Sequence, residues 1–168
     1  MSTSWAMNAL LNARMPITLD FERITVNGLS VLAAPRPGSG LVAATVLIRR
    51  GSADESEGEF GLASFTTSML MRGTRFRSSR QLAFDLESIG AMAADSDGLD
   101  SCALTLRVAA EDVDEAFAIL FEMLLDPAFN ANEHEISRRE LLAHLRMIED
   151  DKFSLTYRAY VRNMFAGH

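Results

Sequence analysis

The sequence holds one cysteine, Cys102, so these residues can build neither an internal disulfide nor a cysteine zinc cluster. No apolar run approaches the roughly 18–20 residues that a membrane-spanning helix needs. Nowhere do Lys and Arg form a dense run, and the net charge is −7. Nucleic acid is therefore not expected as the main partner, because phosphate binding asks for a cationic surface. The first twenty residues lack a charged stretch followed by an apolar one, so no secretory signal is visible. The cytoplasm is the default expectation for compartment, with the periplasm left open, and no membrane partner is expected.

What is present is ordinary for a globular chain: 168 residues, 48% hydrophobic and 23% charged, enough for one domain with a core. Nine Met and ten Phe point to an adaptable core or an interface. Residues 1–16 carry little pattern and are expected to form a poorly structured arm. Residues 21–26 and 29–32 alternate about Asn27-Gly28, the signature of a hairpin. Residues 41–48 read as a strand buried in a sheet, and residues 51–59, with Gly, Ser and acids, as an exposed connection.

Residues 61–74, GLASFTTSMLMRGT, read as a short helix stopped at Gly73. Leu62, Phe65, Met69 and Leu70 mark its core face, while Ser64, Thr67 and Ser68 share one polar patch at i, i+3 and i+4. Ser78 followed by Gln81 is a capping-box pattern opening a second helix, which Gly90 closes. Residues 91–95 suit a strand and Asp97-Gly98 a hairpin turn. Cys102, Leu104, Leu106 and Val108 alternate with Ala103, Thr105 and Arg107 in the clearest strand of the chain. Acids at 111, 112, 114 and 115 complement the dipole of a third helix, closed by Pro127. Asn130 or Asn132 caps a longer helix with Ile136, Leu141, Leu145 and Ile148 as its stripe. A last helix follows Asp150 or Asp151. The order implies an α+β fold, a mostly antiparallel sheet with helices packed on one face.

Several stretches together resemble the N-terminal domain of the M16 zinc peptidases, the pitrilysin, insulinase and mitochondrial processing peptidase family. They are Gly51-Ser-Ala-Asp-Glu, the run from Gly61 to Thr74, Glu87-Ser-Ile-Gly90-Ala, residues 123–129, residues 145–151 and Met164-Phe-Ala-Gly-His168. The likeness is colinear over about residues 21–168. It implies that residues 17–168 form a single half of a subunit normally built from two such halves, and that the piece is shortened relative to that subunit.

The family's inverted motif is His-x-x-Glu-His with a Glu ligand well downstream. On this sequence the resemblance places the first His at Ser64, the Glu base at Thr67, the second His at Ser68 and the downstream ligand at His144. All four depart from the active pattern. Zinc sites are made from thiolate, imidazole and carboxylate, and neutral hydroxyls are poor substitutes. Without metal, water keeps a pKa near 15.7 instead of about 7. Without a carboxylate at 67, no base takes its proton.

The resemblance thus implies a non-catalytic subunit that binds no cofactor. Zinc would sit only in an active M16 partner carrying His-x-x-Glu-His, and the pair would enclose a peptide substrate; self-association is the other partner expectation. Two alternatives stay open: a remodelled metal site with Glu140 and His144, at i and i+4, as candidate ligands, or a hydrolase using Ser64 or Ser68 with His144. His134 is expected to face solvent. Arg72, Arg75, Arg77 and Arg80 form a loose basic cluster, expected to be a solvated face, and Met69, Met71 and Met92 are expected in the core.

Overall fold

The computed structural model describes residues 20–166. The expected arm at 1–16 and His168 lie outside the described residues. The chain divides between Ser39 and Gly40 into two compact units.

In the first unit, strands β1 (Glu22–Val26) and β2 (Leu29–Ala33) pair antiparallel, with Val26 opposite Leu29. Asn27 and Gly28 both take positive φ, 50° and 86°, as the expected two-residue turn requires. Arg23 Nε donates to Ser30 Oγ across the pair at 3.2 Å.

The second unit is α+β. Strands β3 (Leu41–Ile48), β4 (Met92–Asp97) and β5 (Cys102–Ala109) form an antiparallel sheet in the order β3-β5-β4. The central strand pairs Leu104 with Val46 and Asp95, and Leu106 with Ala44 and Ala93. Five helices follow in chain order: α1 (Leu62–Met69), α2 (Ser79–Ser88), α3 (Val113–Leu125), α4 (Ala131–Asp150) and α5 (Lys152–Met164). Leu104, Leu106 and Val108 of β5 are buried with Leu82 and Leu86 of α2 and with Ala116, Ile119, Leu120 and Met123 of α3. Those helices cover one face of the sheet, as the alternation of β5 demands. On the opposite face Leu41, Leu47 and Met92 are exposed, and the Thr45 and Thr105 hydroxyls meet at 3.0 Å. Met92 is therefore not a core residue: its place in the register turns it away from Leu106.

Local signals set the helix starts. Ser78 Oγ accepts from Gln81 N at 3.2 Å, and Asn130 Oδ1 accepts from Asn132 N at 2.9 Å. The reciprocal half of the Ser78–Gln81 box is not made, because Gln81 Nε2 donates to Asp85 Oδ1 at 2.6 Å instead.

Two expected boundaries move. The first helix stops at Met69, not at Gly73. Leu70, Met71 and Arg72 donate to carbonyls three residues back, which winds the chain out of the α-helix. Gly73 serves a different need. Its φ is 108°, and a Cβ there would come within 2.9 Å of Ser79 N as the chain folds back on Ser78. The β4–β5 connection spans residues 98–101, longer than a two-residue turn. The carbonyls of Gly98 and Leu99 accept from Ser52 N and Ala53 N at 3.0 and 2.9 Å. At that approach Gly51 has no room for a side chain: a Cβ would lie 2.3 Å from Leu99 O.

Candidate functional site

Helix α1 carries three of the four candidate positions. Its N-cap, Gly61, has φ 90° and offers no capping side chain. The cap comes from outside the helix: Glu55 accepts from Gly61 N at 2.8 Å and from Ala63 N at 2.7 Å, one carboxylate oxygen each. A carboxylate there both satisfies otherwise unpaired amides and opposes the positive end of the helix dipole. Asp54 closes the same loop by accepting from Gly51 N at 3.0 Å. The acidic connection preceding the helix is thus its clamp. An acid a few residues before a glycine helix start was the available sequence signal.

The hydroxyls of the candidate patch turn onto their own helix. Thr67 Oγ1 donates to Ala63 O at 2.7 Å, and Ser68 Oγ donates to Phe65 O at 2.8 Å. Thr67 is buried; Ser64 and Ser68 are half-buried. Such back-bonding satisfies a hydroxyl locally and competes with the carbonyls' other partners. Among the described residues no hydrogen bond joins Ser64 or Ser68 to His144, the contact a serine nucleophile would need.

Helix α4 meets α1 and the turn that follows it through two side-chain contacts. The His134 ring meets Phe65 edge-on, with centroids 5.0 Å apart, and Arg72 pairs with Glu140. His134 is exposed but does not simply face solvent, since one edge of its surroundings is an aromatic ring. The pairing gives Glu140 a cation as its partner, while His144, one turn further on, is exposed. Between the two contacts lies Ser137, 6% exposed, whose Oγ has no partner among the described residues.

The donor set around α1 does not fit zinc. Its three candidate positions offer hydroxyls, two of them already engaged, where a catalytic zinc takes three imidazole, carboxylate or thiolate ligands. Among the described residues no three His, Cys, Asp or Glu side chains gather as a metal would require.

The arginine cluster is the solvated face expected only at Arg75 and Arg80, which are exposed; Arg72 and Arg77 are half-buried and paired. Arg72 reaches Glu140 on α4, and Arg75 lies 3.4 Å from Asp126. Arg77 binds Asp85 on α2 at 2.7 Å and Glu122 on α3. Thr74 Oγ1 donates to Glu122 as well, and accepts from Phe76 N and Arg77 N at 3.2 and 2.9 Å. The hydrogen bond from Arg77, with a further one from Gln81, holds the Asp85 carboxyl below the usual range. The same contacts, led by Glu122, raise the Arg77 guanidinium. Residues 73–78 are thereby tied to two helices just beyond the end of α1.

A family model described as Insulinase (Peptidase family M16) matches residues 30–167. The chain belongs to the M16 peptidase family. It is 28% identical over 139 residues to an uncharacterized zinc protease of Rickettsia bellii, covering 83% of this chain and 34% of that protein. It is also 30% identical over 124 residues to cytochrome b-c1 complex subunit 1, mitochondrial, of Caenorhabditis elegans, covering 74% of this chain and 26% of that one. A solved M16 inactive domain from Pseudomonas fluorescens superposes with a TM-score of 0.80 at 18% identity, over 86% of this chain and 35% of that structure. This M16 chain thus spans about a third of the length of such relatives.

Proposed function

We propose that this chain is a non-catalytic M16 subunit that pairs with a zinc-bearing M16 subunit and helps enclose a peptide substrate. The observation that carries it is the chemistry of α1: Ser64, Thr67 and Ser68 stand on a helix whose flanking Gly61-Leu62-Ala63 and Gly73-Thr74 keep the family register. The fold investment is retained, with Glu55 capping the helix and the loop after it bound to α2 and α3. Where the family's metal ligands and base would stand there are hydroxyls, two of which, Thr67 and Ser68, donate to backbone carbonyls. A structural relative described as an M16 inactive domain, and a sequence relative described as a subunit of the cytochrome b-c1 complex, support a role through assembly.

Purification without a histidine tag, followed by metal analysis and by co-purification with an M16 subunit carrying His-x-x-Glu-His, tests this. The expected result is far less than one zinc per chain alone, and a stable complex whose peptidase activity depends on the partner's motif. A full equivalent of zinc on this chain, or peptidase activity without the partner, would overturn it.

A further inference from the structure

Beside α1 lies a second feature, which shares Thr67 with the hydroxyl patch. A cavity of about 240 Å³ opens between the end of β3 and α1, floored by Ile48, Leu62, Leu70 and Cys102. Engineered apolar cavities of roughly 150 Å³ already accept benzene, so this space is ample for one aromatic ring. Three carboxylates, Asp54, Glu55 and Glu59, line its rim against one guanidinium, Arg50, which is itself paired with Asp54. Asp97 precedes and Asp100 lies within the β4–β5 loop that Gly51 packs against. The mouth is apolar and open: Leu62 is 52% exposed, and Phe60 and Leu99 beside it are exposed too.

The same chain carries the complementary shape and charge. Phe76 is 72% exposed on the loop beyond the other end of α1, between Arg75 and Arg77. Thr74, Arg77, Glu122 and Asp85 fix the backbone on either side of it, so little order remains to be acquired on binding. Arg75 keeps most of its surface free, and Arg80 on the following turn is exposed, which gives the knob a positive collar.

We propose that a second copy of this chain inserts Phe76 into the cavity floored by Leu62 and Cys102, with Arg75 and Arg80 meeting the acidic rim. Knob and socket lie on different parts of the surface, so the contact is heterologous: each chain gives one Phe76 and receives one, whether the copies close into a pair or a ring or run on head to tail. An aromatic anchor seated in an apolar pocket and ringed by opposite charge is the pattern of an interface hot spot. The contact is separate from the pairing with a zinc-bearing subunit and does not depend on it.

Sedimentation velocity of the full 168-residue chain over a range of concentrations tests the contact. The wild-type chain is expected to self-associate. Phe76→Ser and Leu62→Arg, both at exposed positions, should each weaken association by about tenfold or more. Neither variant should alter the circular dichroism spectrum. The deciding measurement mixes them. Phe76→Ser keeps its socket and Leu62→Arg keeps its knob, so the mixture should associate more tightly than either variant alone. A wild-type chain that stays monomeric throughout overturns the proposal. So does association that both variants leave intact, or a mixture no tighter than its components.

Discussion

Helices α3 and α4 differ in what they bury. In thirteen residues α3 places Ala116, Ile119, Leu120 and Met123 in the core; in twenty, α4 buries Ser137 alone. Both are amphipathic, so periodicity does not separate them. The difference is what lies opposite. Helix α3 lies on the central strand β5, whose Leu104 and Leu106 complete a closed cluster. Helix α4 meets α1 through a ring contact and the turn after α1 through an ion pair, and its stripe of Ile136, Leu141 and Leu145 remains more than a third exposed. Stability is therefore concentrated in the β5–α3–α2 body, while the helix bearing His144 adds little to it.

The sharpest way to break this contrast is a pair of truncations. Ile119→Ala should cost about 3–4 kcal/mol, because the site is fully enclosed and the cavity cannot collapse. Met147→Gln on α4, 71% exposed, should stay within about 0.5 kcal/mol of wild type. Urea unfolding of both variants measures the difference. Equal losses would mean that α4 is packed against something as extensive as the core of α3.

A smaller effect separates α1 from both. Its hydroxyl face contributes only local bonds, and its anchorage rests on Glu55. Glu55→Ala should destabilise by about 1–2 kcal/mol, the range for losing an N-terminal cap. Glu55→Gln should recover part of that, since one amide oxygen can still accept. The two urea midpoints check this; identical values for Ala and wild type would remove Glu55 from the account of how the helix is held.

Much of the body was legible because its causes are local. Asn27-Gly28 demands a turn with two positive φ values, and only one face of residues 102–108 can be apolar by alternation. Ser78 and Asn130 announce their helices within three residues. The candidate site was legible only through register, by counting from Gly61 to the positions where ligands would stand. What escaped was long-range or depended on rotamers. Glu55 caps a helix from six and eight residues away. The partners of Arg77 lie on α2 and α3, and those of Arg72 on α4, pairings that no spacing rule encodes. Nor can a sequence tell whether Thr67 and Ser68 point outward to a ligand or back to Ala63 and Phe65.

The Arg77 cluster offers the subtlest test, because it binds the loop after α1 to the stable body. Asp85 is held below its ordinary range chiefly by the hydrogen bond from Arg77. A carboxyl whose folded pKa lies under its unfolded value stabilises the native state fully above that unfolded value, near 3.9 for Asp, and loses the contribution as pH falls through the folded one. Arg77 stays charged across that range, so the acid limb reports the carboxyl. Asp85→Asn should therefore lower stability at neutral pH and leave the gap to wild type shrinking as pH drops below the ordinary Asp range. The acid limb should not flatten completely, since Glu135 and Asp151 are depressed too, by Arg138 and by Ser154, and keep the same sign. Thermal midpoints measured from neutral pH into that acid range read the gap directly. A gap that stays constant with pH would show that Asp85 contributes packing alone, and that Glu122 is enough to hold Arg77 and its loop on the body.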